Sequence, residues 1–169
     1  MRFQLTQRFA APLAEVADAF SDPGFYAALA ELPTLGAPEL LDRTLDGDTV
    51  QMRVRYRFTG HLSAAVTAVI DPAKLTWVDV SHHDRTTHHV TFHLEPDHYA
   101  DRFRCHGSYR FHADPQDRRV TVRTAEGDVK IRMPIVGGSV ERAIVSGLED
   151  HLADEIPILE SWLKHRSGA

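Results

Sequence analysis

Residues 133 to 164 carry the strongest constraint in the chain. Apolar side chains recur there at Val140, Ile144, Leu148, Leu152, Ile156, Leu159 and Leu163. Steps of three or four residues line them along one face of a helix. Glu141, Arg142, Glu149, Asp150, Asp154, Glu160 and Lys164 lie mostly off that stripe and face water. Pro134 ends the extended segment before the helix, because proline donates no ladder hydrogen bond. Gly137-Gly138 allows a tight turn, Gly138 or Ser139 serves as N-cap, and Glu141 falls in the positive first turn. Pro157 sits inside the pattern, where its ring clashes with the carbonyl four residues back and kinks the helix. So long an amphipathic helix needs a broad apolar partner. The residues upstream supply a sheet.

A chain of 169 residues fits one domain over 1–169 and buries roughly 70% of its unfolded surface on folding. The net charge of -5, with basic residues scattered among acids, argues against a nucleic-acid partner held by bulk electrostatics. Cys105 is the only cysteine, so no intrachain disulfide can form and a reducing compartment is expected. Met1 to Leu5 lacks the apolar run of a signal peptide. No stretch reaches the ~20 apolar residues needed to span a bilayer, so no stable membrane insertion is expected. The composition reads as a soluble, cytoplasmic domain.

Along the chain, residues 2 to 10 alternate, with Phe3, Leu5 and Phe9 on one side and Arg2, Gln4, Thr6 and Arg8 on the other. Pro12 opens a helix, and Asp22-Pro23 separates it from a second short one carrying Phe25, Tyr26 and Leu29. A strand over 39–45 turns at Asp46-Gly47-Asp48. The next strand sets Val50, Met52, Val54, Tyr56 and Phe58 against Gln51, Arg53, Arg55 and Arg57, and ends at Gly60. Residues 62–70 read as another strand, 75–83 and 86–94 as a hairpin around Asp84-Arg85, and 102–112 as a strand with Phe103, Cys105, Tyr109 and Phe111 inward. In the last strand, over 119–133, the inward set switches from Val120 and Val122 to Val129, Ile131 and Met133, which calls for a bulge at Glu126-Gly127. One strand, two short helices, six or seven antiparallel strands and a long helix make an α+β chain. A sheet wrapped around that helix rarely fills the middle, so a cavity is expected between them.

This order resembles the START/Bet v-like superfamily, also called polyketide cyclase-like, SRPBCC or helix-grip. The run from Gly127 to Glu141 and the closing Glu160-Ser161-Trp162-Leu163 are similar to a bacterial branch of unknown function. The resemblance in element order covers nearly the whole chain, and the motif only its last quarter. It implies a curved seven-stranded antiparallel sheet gripping the C-terminal helix around an apolar pocket. It implies no particular reaction, since the superfamily includes lipid carriers, hormone receptors, cyclases and chaperone partners.

Within that frame the candidate ligand-binding residues are Tyr56, Phe58, Trp77, His88, Phe92, Phe103, Tyr109, Leu148, His151 and Leu152. Aromatic residues at such positions are commonly plain core, yet a tyrosine hydroxyl needs a partner and suits the few polar groups of an apolar pocket. His151 borders the helix stripe. It either projects into the cavity as acid, base or donor, or sits satisfied at the helix edge, with Glu155 as its partner or as a solvated acid. His151 and His88 are the candidate catalytic groups.

Eleven histidines invite a metal reading. His82, His83, His88, His89 and His93 cluster on one hairpin, but no HExxH, CxxC or third ligand at suitable spacing accompanies them, so no metal site is assigned. They read as solvated histidines on the outer face and rim of the sheet. Cys105 reads as a small buried hydrophobe. No dinucleotide fingerprint or phosphate loop occurs, so no cofactor is expected. The favoured function is binding or carriage of a small hydrophobic molecule, a lipid, steroid or polyketide-like compound. A cyclase- or hydrolase-type enzyme using a cavity histidine is the first alternative, and an interaction module with a filled core is the second.

Overall fold

The computed structural model describes residues 1–32, 35–59, 62–68, 70–135 and 137–167. β1 (Arg2–Phe9) is followed by α1 (Leu13–Ala19) and α2 (Pro23–Ala28), then β2 (Glu39–Asp46) and β3 (Thr49–Arg57). A one-turn helix, α3 (Ala64–Thr67), precedes β4 (Thr76–Asp84), β5 (His89–Pro96), β6 (Phe103–Ala113), β7 (Thr121–Ile131) and the long α4 (Gly137–Ser167). The seven strands form one antiparallel sheet in the order β1-β7-β6-β5-β4-β3-β2. The sheet is open and curved, and α4 lies on its concave side. This is the α+β helix-grip arrangement, with two short helices after the first strand.

Four local expectations are corrected. Residues 62–70 do not make a strand. Val66 and Ile70 are both buried and four apart, which is helical spacing, and α3 satisfies it. The end of β3 assigned to Gly60 lies outside the described residues.

The turn between β4 and β5 is longer than Asp84-Arg85. The Asp84 side chain accepts the backbone N–H groups of Thr86 and Thr87 at 2.9 and 3.0 Å, folding residues 85–88 into the turn. His88, at φ 52°, belongs to that turn and not to a strand.

β7 pairs without interruption with both β1 and β6, so no bulge occurs at Glu126-Gly127. The inward set is odd-numbered throughout and runs through Thr121 and Arg123, both buried.

Glu141 does not face water. It is 8% exposed, accepts the Ile131 N–H at 2.9 Å and lies 3.3 Å from the N-terminal ammonium. The backbone donor and that ammonium hold its carboxyl below the usual range.

α4 begins at Gly137, one residue before the expected N-cap, and continues as one helix through Pro157. It packs along β1 and β7 and against α1 and α2. Near its C-terminal end, Leu159 and Leu163 join Phe9, Val16, Phe20, Phe25, Met52 and Phe111 in the largest apolar cluster. A second cluster sets Val145 on Phe3, Cys105 and Val129, and a third sets Val140 on Val66, Ile70 and Ile131.

The second cluster depends on two glycines directly opposite each other, Gly107 on β6 and Gly127 on β7. A Cβ at Gly107 would strike the Glu126 carbonyl and come within 2.8 Å of the Phe92 ring, and one at Gly127 would lie 2.5 Å from the Phe3 ring. The missing side chains let two phenyl rings lie over the strands. Gly107→Ala is therefore expected to cost about 1–3 kcal/mol through overpacking against backbone, read as a lower urea midpoint with an unchanged slope. An unaltered midpoint would show that the rings are not seated there.

Candidate functional site

Residues directly opposite in a ladder share a face, which fixes what the concave side presents. Tyr56 of β3 faces Trp77 of β4, and the rings stack at 6.1 Å and 21°. The next row inward runs Val54, Asp79, Leu94, Cys105, Val129 across five strands. Beyond it come Ser81 with Phe92, then His83 with Val90 and Tyr109. The inner face of β4 is thus Trp77, Asp79, Ser81 and His83, polar in three positions of four.

The middle of the α4 stripe is incompletely covered. Val140, Val145, Leu159 and Leu163 are buried, whereas Ile144, Leu148, His151, Leu152 and Ile156 are only half-buried. Trp77 and Leu152 belong to none of the three apolar clusters. The half-buried side chains between the clusters outline a candidate groove on the concave side.

Among the described residues, two buried side-chain atoms lack a hydrogen-bond partner. Asp79 is half-buried, yet its Oδ1 is sealed from solvent and meets no donor. Burial pushes its carboxyl up to about 7. His151 Nδ1 is likewise buried without a partner, and burial lowers the proton affinity of its ring. Among the described residues, the hydroxyls of Tyr56 and Tyr109 make no hydrogen bond. Burial raises both phenols well above their usual value, so they remain neutral donors.

Other polar groups of the interior are fully paired. Arg123 Nη2 meets Glu155 Oε2 at 2.5 Å, and both side chains are about 5% exposed. Gln7 bonds both of them and the Leu152 carbonyl. The Arg123 guanidinium also lies 4.4 Å from the Phe20 ring centre and 5.2 Å from that of Tyr109. Glu155 is therefore the partner of Arg123 and not of His151, and it is not solvated. His83 is 3% exposed, not on the outer face as its neighbours are, and its ring lies 3.0 Å from Ser81 Oγ. Burial lowers its pKa to about 4, which keeps it neutral.

The remaining sequence candidates fall as follows. Phe92 and Phe103 lie on the inner face among the half-buried residues of the clusters. Phe58 follows β3 and bridges to Leu35. His88 lines only a recess of about 20 Å³ beside His83 and Phe111, away from α4. A cleft of about 390 Å³ opens where the β5–β6 pairing stops at Leu94 and Cys105; Phe103 and Pro96 line it with outer-face His93, Arg104 and His106. It adjoins the groove through Leu94, the ladder partner of Asp79. Burial pushes the Cys105 thiol up to about 12, the state of an inert buried hydrophobe. Among the described residues, no three His, Cys, Asp or Glu side chains stand together as metal ligands.

Asp79, Arg123 and Gln7 were not singled out from the sequence. The signal for each was parity alone. Trp77 inward places Asp79 inward, Val129 and Ile131 inward place Arg123 inward, and Phe3, Leu5 and Phe9 inward place Gln7 inward.

Residues 4–163 match a family model described as a protein of unknown function, DUF2505. No curated protein matches the chain. Three solved structures share the fold at low identity. A protein from Thermus thermophilus is 15% identical with a TM-score of 0.69, covering 99% of both chains. The Zhui aromatase/cyclase from a Streptomyces species is 14% identical with a TM-score of 0.64, covering 99% of this chain and 95% of its own. An 18 kDa protein from Caulobacter crescentus is 11% identical with a TM-score of 0.62, covering 100% and 99%.

Proposed function

This chain belongs to the DUF2505 family, and we propose that it binds one small, largely apolar molecule in the groove between its sheet and α4. The observation that carries this reading is the wet apolar surface on the concave side, where Trp77 and Leu152 stay half-exposed outside every packed cluster. Leaving such surface in water costs about 25 cal/mol per Å², a cost that an apolar ligand removes on entering. Few, converging polar groups on an apolar lining are the usual composition of a ligand site, and Asp79, His151 and the two tyrosines fit that description. The shared fold with a protein named as an aromatase/cyclase is in keeping with a ring compound as occupant. A sole cysteine held as a buried thiol supports a reducing, cytoplasmic setting.

The two tryptophans provide the test. Trp77 faces the groove against Tyr56, whereas Trp162 packs on Phe25 at 5.7 Å beneath Arg166. Titration with a planar aromatic probe such as naphthalene is expected to change the emission of the Trp162→Phe variant with one-to-one saturation. The Trp77→Phe variant should keep the remaining tryptophan's signal flat. Saturable change from Trp162 alone, or from neither, contradicts the proposal.

His151 gives a second reading, proton transfer to a bound molecule. It is favoured by one observation, the buried Nδ1 that meets no hydrogen-bond partner. His88, in its turn beside the small recess, has no part in it.

A further inference from the structure

The polar groups that open onto the groove share one property beyond being unpartnered. Tyr56 and Tyr109 are phenols held neutral, so each has a hydroxyl proton to give. Asp79 stands diagonal to Tyr56 on the neighbouring strand, on the same face, with Val54 as its own ladder partner. Its Oδ1 is sealed and accepts nothing. No lysine or arginine is among the influences on its ionisation. A carboxyl so placed is stable as the acid, and a carboxylic acid donates one O–H. The β3–β4 side of the groove therefore offers donors and no committed acceptor.

From this juxtaposition we infer that the groove selects a planar apolar compound bearing a carbonyl oxygen, with protonated Asp79 and the Tyr56 hydroxyl donating to that oxygen. This rests on the groove being a ligand site and goes further by naming the chemistry it reads. A carbonyl accepts through two lone pairs and brings no proton of its own, so it satisfies both donors at once. An anionic head group would instead meet a buried acid with no cation beside it, which is unfavourable. Trp77, stacked on Tyr56, supplies a flat wall for the ring system, and Leu94, the ladder partner of Asp79, is an apolar neighbour.

Binding then follows the charge of Asp79. The titratable groups around it are Tyr56 on β3, Cys105 and Tyr109 on β6, Tyr26 on α2 and, more remotely, Arg123 on β7 with Glu155 on α4. His151 on α4 is a further titratable group, and burial lowers the proton affinity of its ring. The phenols and the thiol stay neutral through the range in which Asp79 loses its proton near 7, and Arg123 and Glu155 neutralise each other. Deprotonation of Asp79 removes the donor and leaves a buried anion facing the carbonyl oxygen. Affinity for a ketone therefore falls as pH rises through that value.

A matched pair of probes tests the inference on the full chain: 2-acetylnaphthalene and 2-ethylnaphthalene, which differ by a carbonyl against a methylene. At about pH 5.5, below the Asp79 value, the ketone should bind roughly tenfold more tightly, the worth of one or two net hydrogen bonds. At about pH 8.5 that preference should disappear. Asp79→Leu should bind both probes alike at either pH. Asp79→Asn, whose amide donates at any pH, should keep the ketone preference at both. Equal affinity of the wild type for both probes at the lower pH overturns the inference while leaving the groove a ligand site. A ketone preference that persists undiminished in Asp79→Leu also overturns it. Failure of both probes to bind overturns both readings together.

Discussion

Glu155→Ala is expected to lower folding stability by about 3–5 kcal/mol, because removing one partner of a buried pair leaves the other charge uncompensated. Glu155 joins α4 to the sheet through Arg123 on β7 and Gln7 on β1. With the carboxylate gone, the Arg123 guanidinium stays 4% exposed among Phe9, Phe20 and Tyr109. In a domain of this size such a loss lowers Tm by roughly 10 °C, readable by calorimetry or urea unfolding. Replacing both partners, as Arg123→Met with Glu155→Leu, is expected to recover most of the loss, since the pair repays little more than its own desolvation. Equal instability of the single and double variants would show that the pair sets the interior geometry beyond neutralising its own charges.

Asp79→Asn is expected to act in the opposite direction, as a stabilising substitution above neutral pH. In the folded state the carboxyl holds its proton up to about 7, whereas an unfolded aspartate releases it near ~3.9. Between those values this carboxyl makes the native state bind more protons than the unfolded one, so its own contribution to stability falls as pH rises from about 4 to about 7 and then levels off. The interval corresponds to about 4 kcal/mol at most. Asp79→Asn carries no such proton, so its unfolding free energy should rise relative to the wild type over that interval, while the opposing contribution of His83, held neutral down to about 4, is common to both proteins. The two proteins should agree in pH dependence below the unfolded value and diverge above it. A difference in unfolding free energy between wild type and Asp79→Asn that does not change over the interval would refute the buried acid.

The architecture was readable because periodicity dominates it. Steps of three and four from Val140 to Leu163, and alternation in β1, β3 and β6, mark elements that bury one face against a common core. The errors arise where the inward face stops being apolar. In β7 the buried side of the strand turns polar at Thr121 and Arg123, so the hydrophobic residues Val120 and Val122 suggested a change of register that the ladder does not make. In β4 the inner face carries Asp79, Ser81 and His83, so His83 looked like one more wet histidine. Burial and neutrality are properties of its surroundings, which a single strand does not reveal. Glu141 and Glu155 were read as water-facing or undecided because their partners, Ile131 N–H and Arg123, lie on other elements. Trp77, Tyr56, Leu148, His151 and Leu152 were legible as inward-facing residues, since each falls on an inward position of an element that the pattern had already located. His88 was not, because a turn formed by the Asp84 side chain takes it out of the strand.

The most direct test is a map of nuclear magnetic resonance shifts in the full chain as naphthalene is added to saturation. A molecule seated between β3–β5 and α4 should move the indole resonance of Trp77 and the methyl resonances of Leu94, Leu148 and Leu152, with Trp162 and the outer-face His82 and His112 left in place. No shift at saturation, or shifts confined to the outer-face side chains of His93, Arg104 and His106, would mean that the concave side holds no ligand.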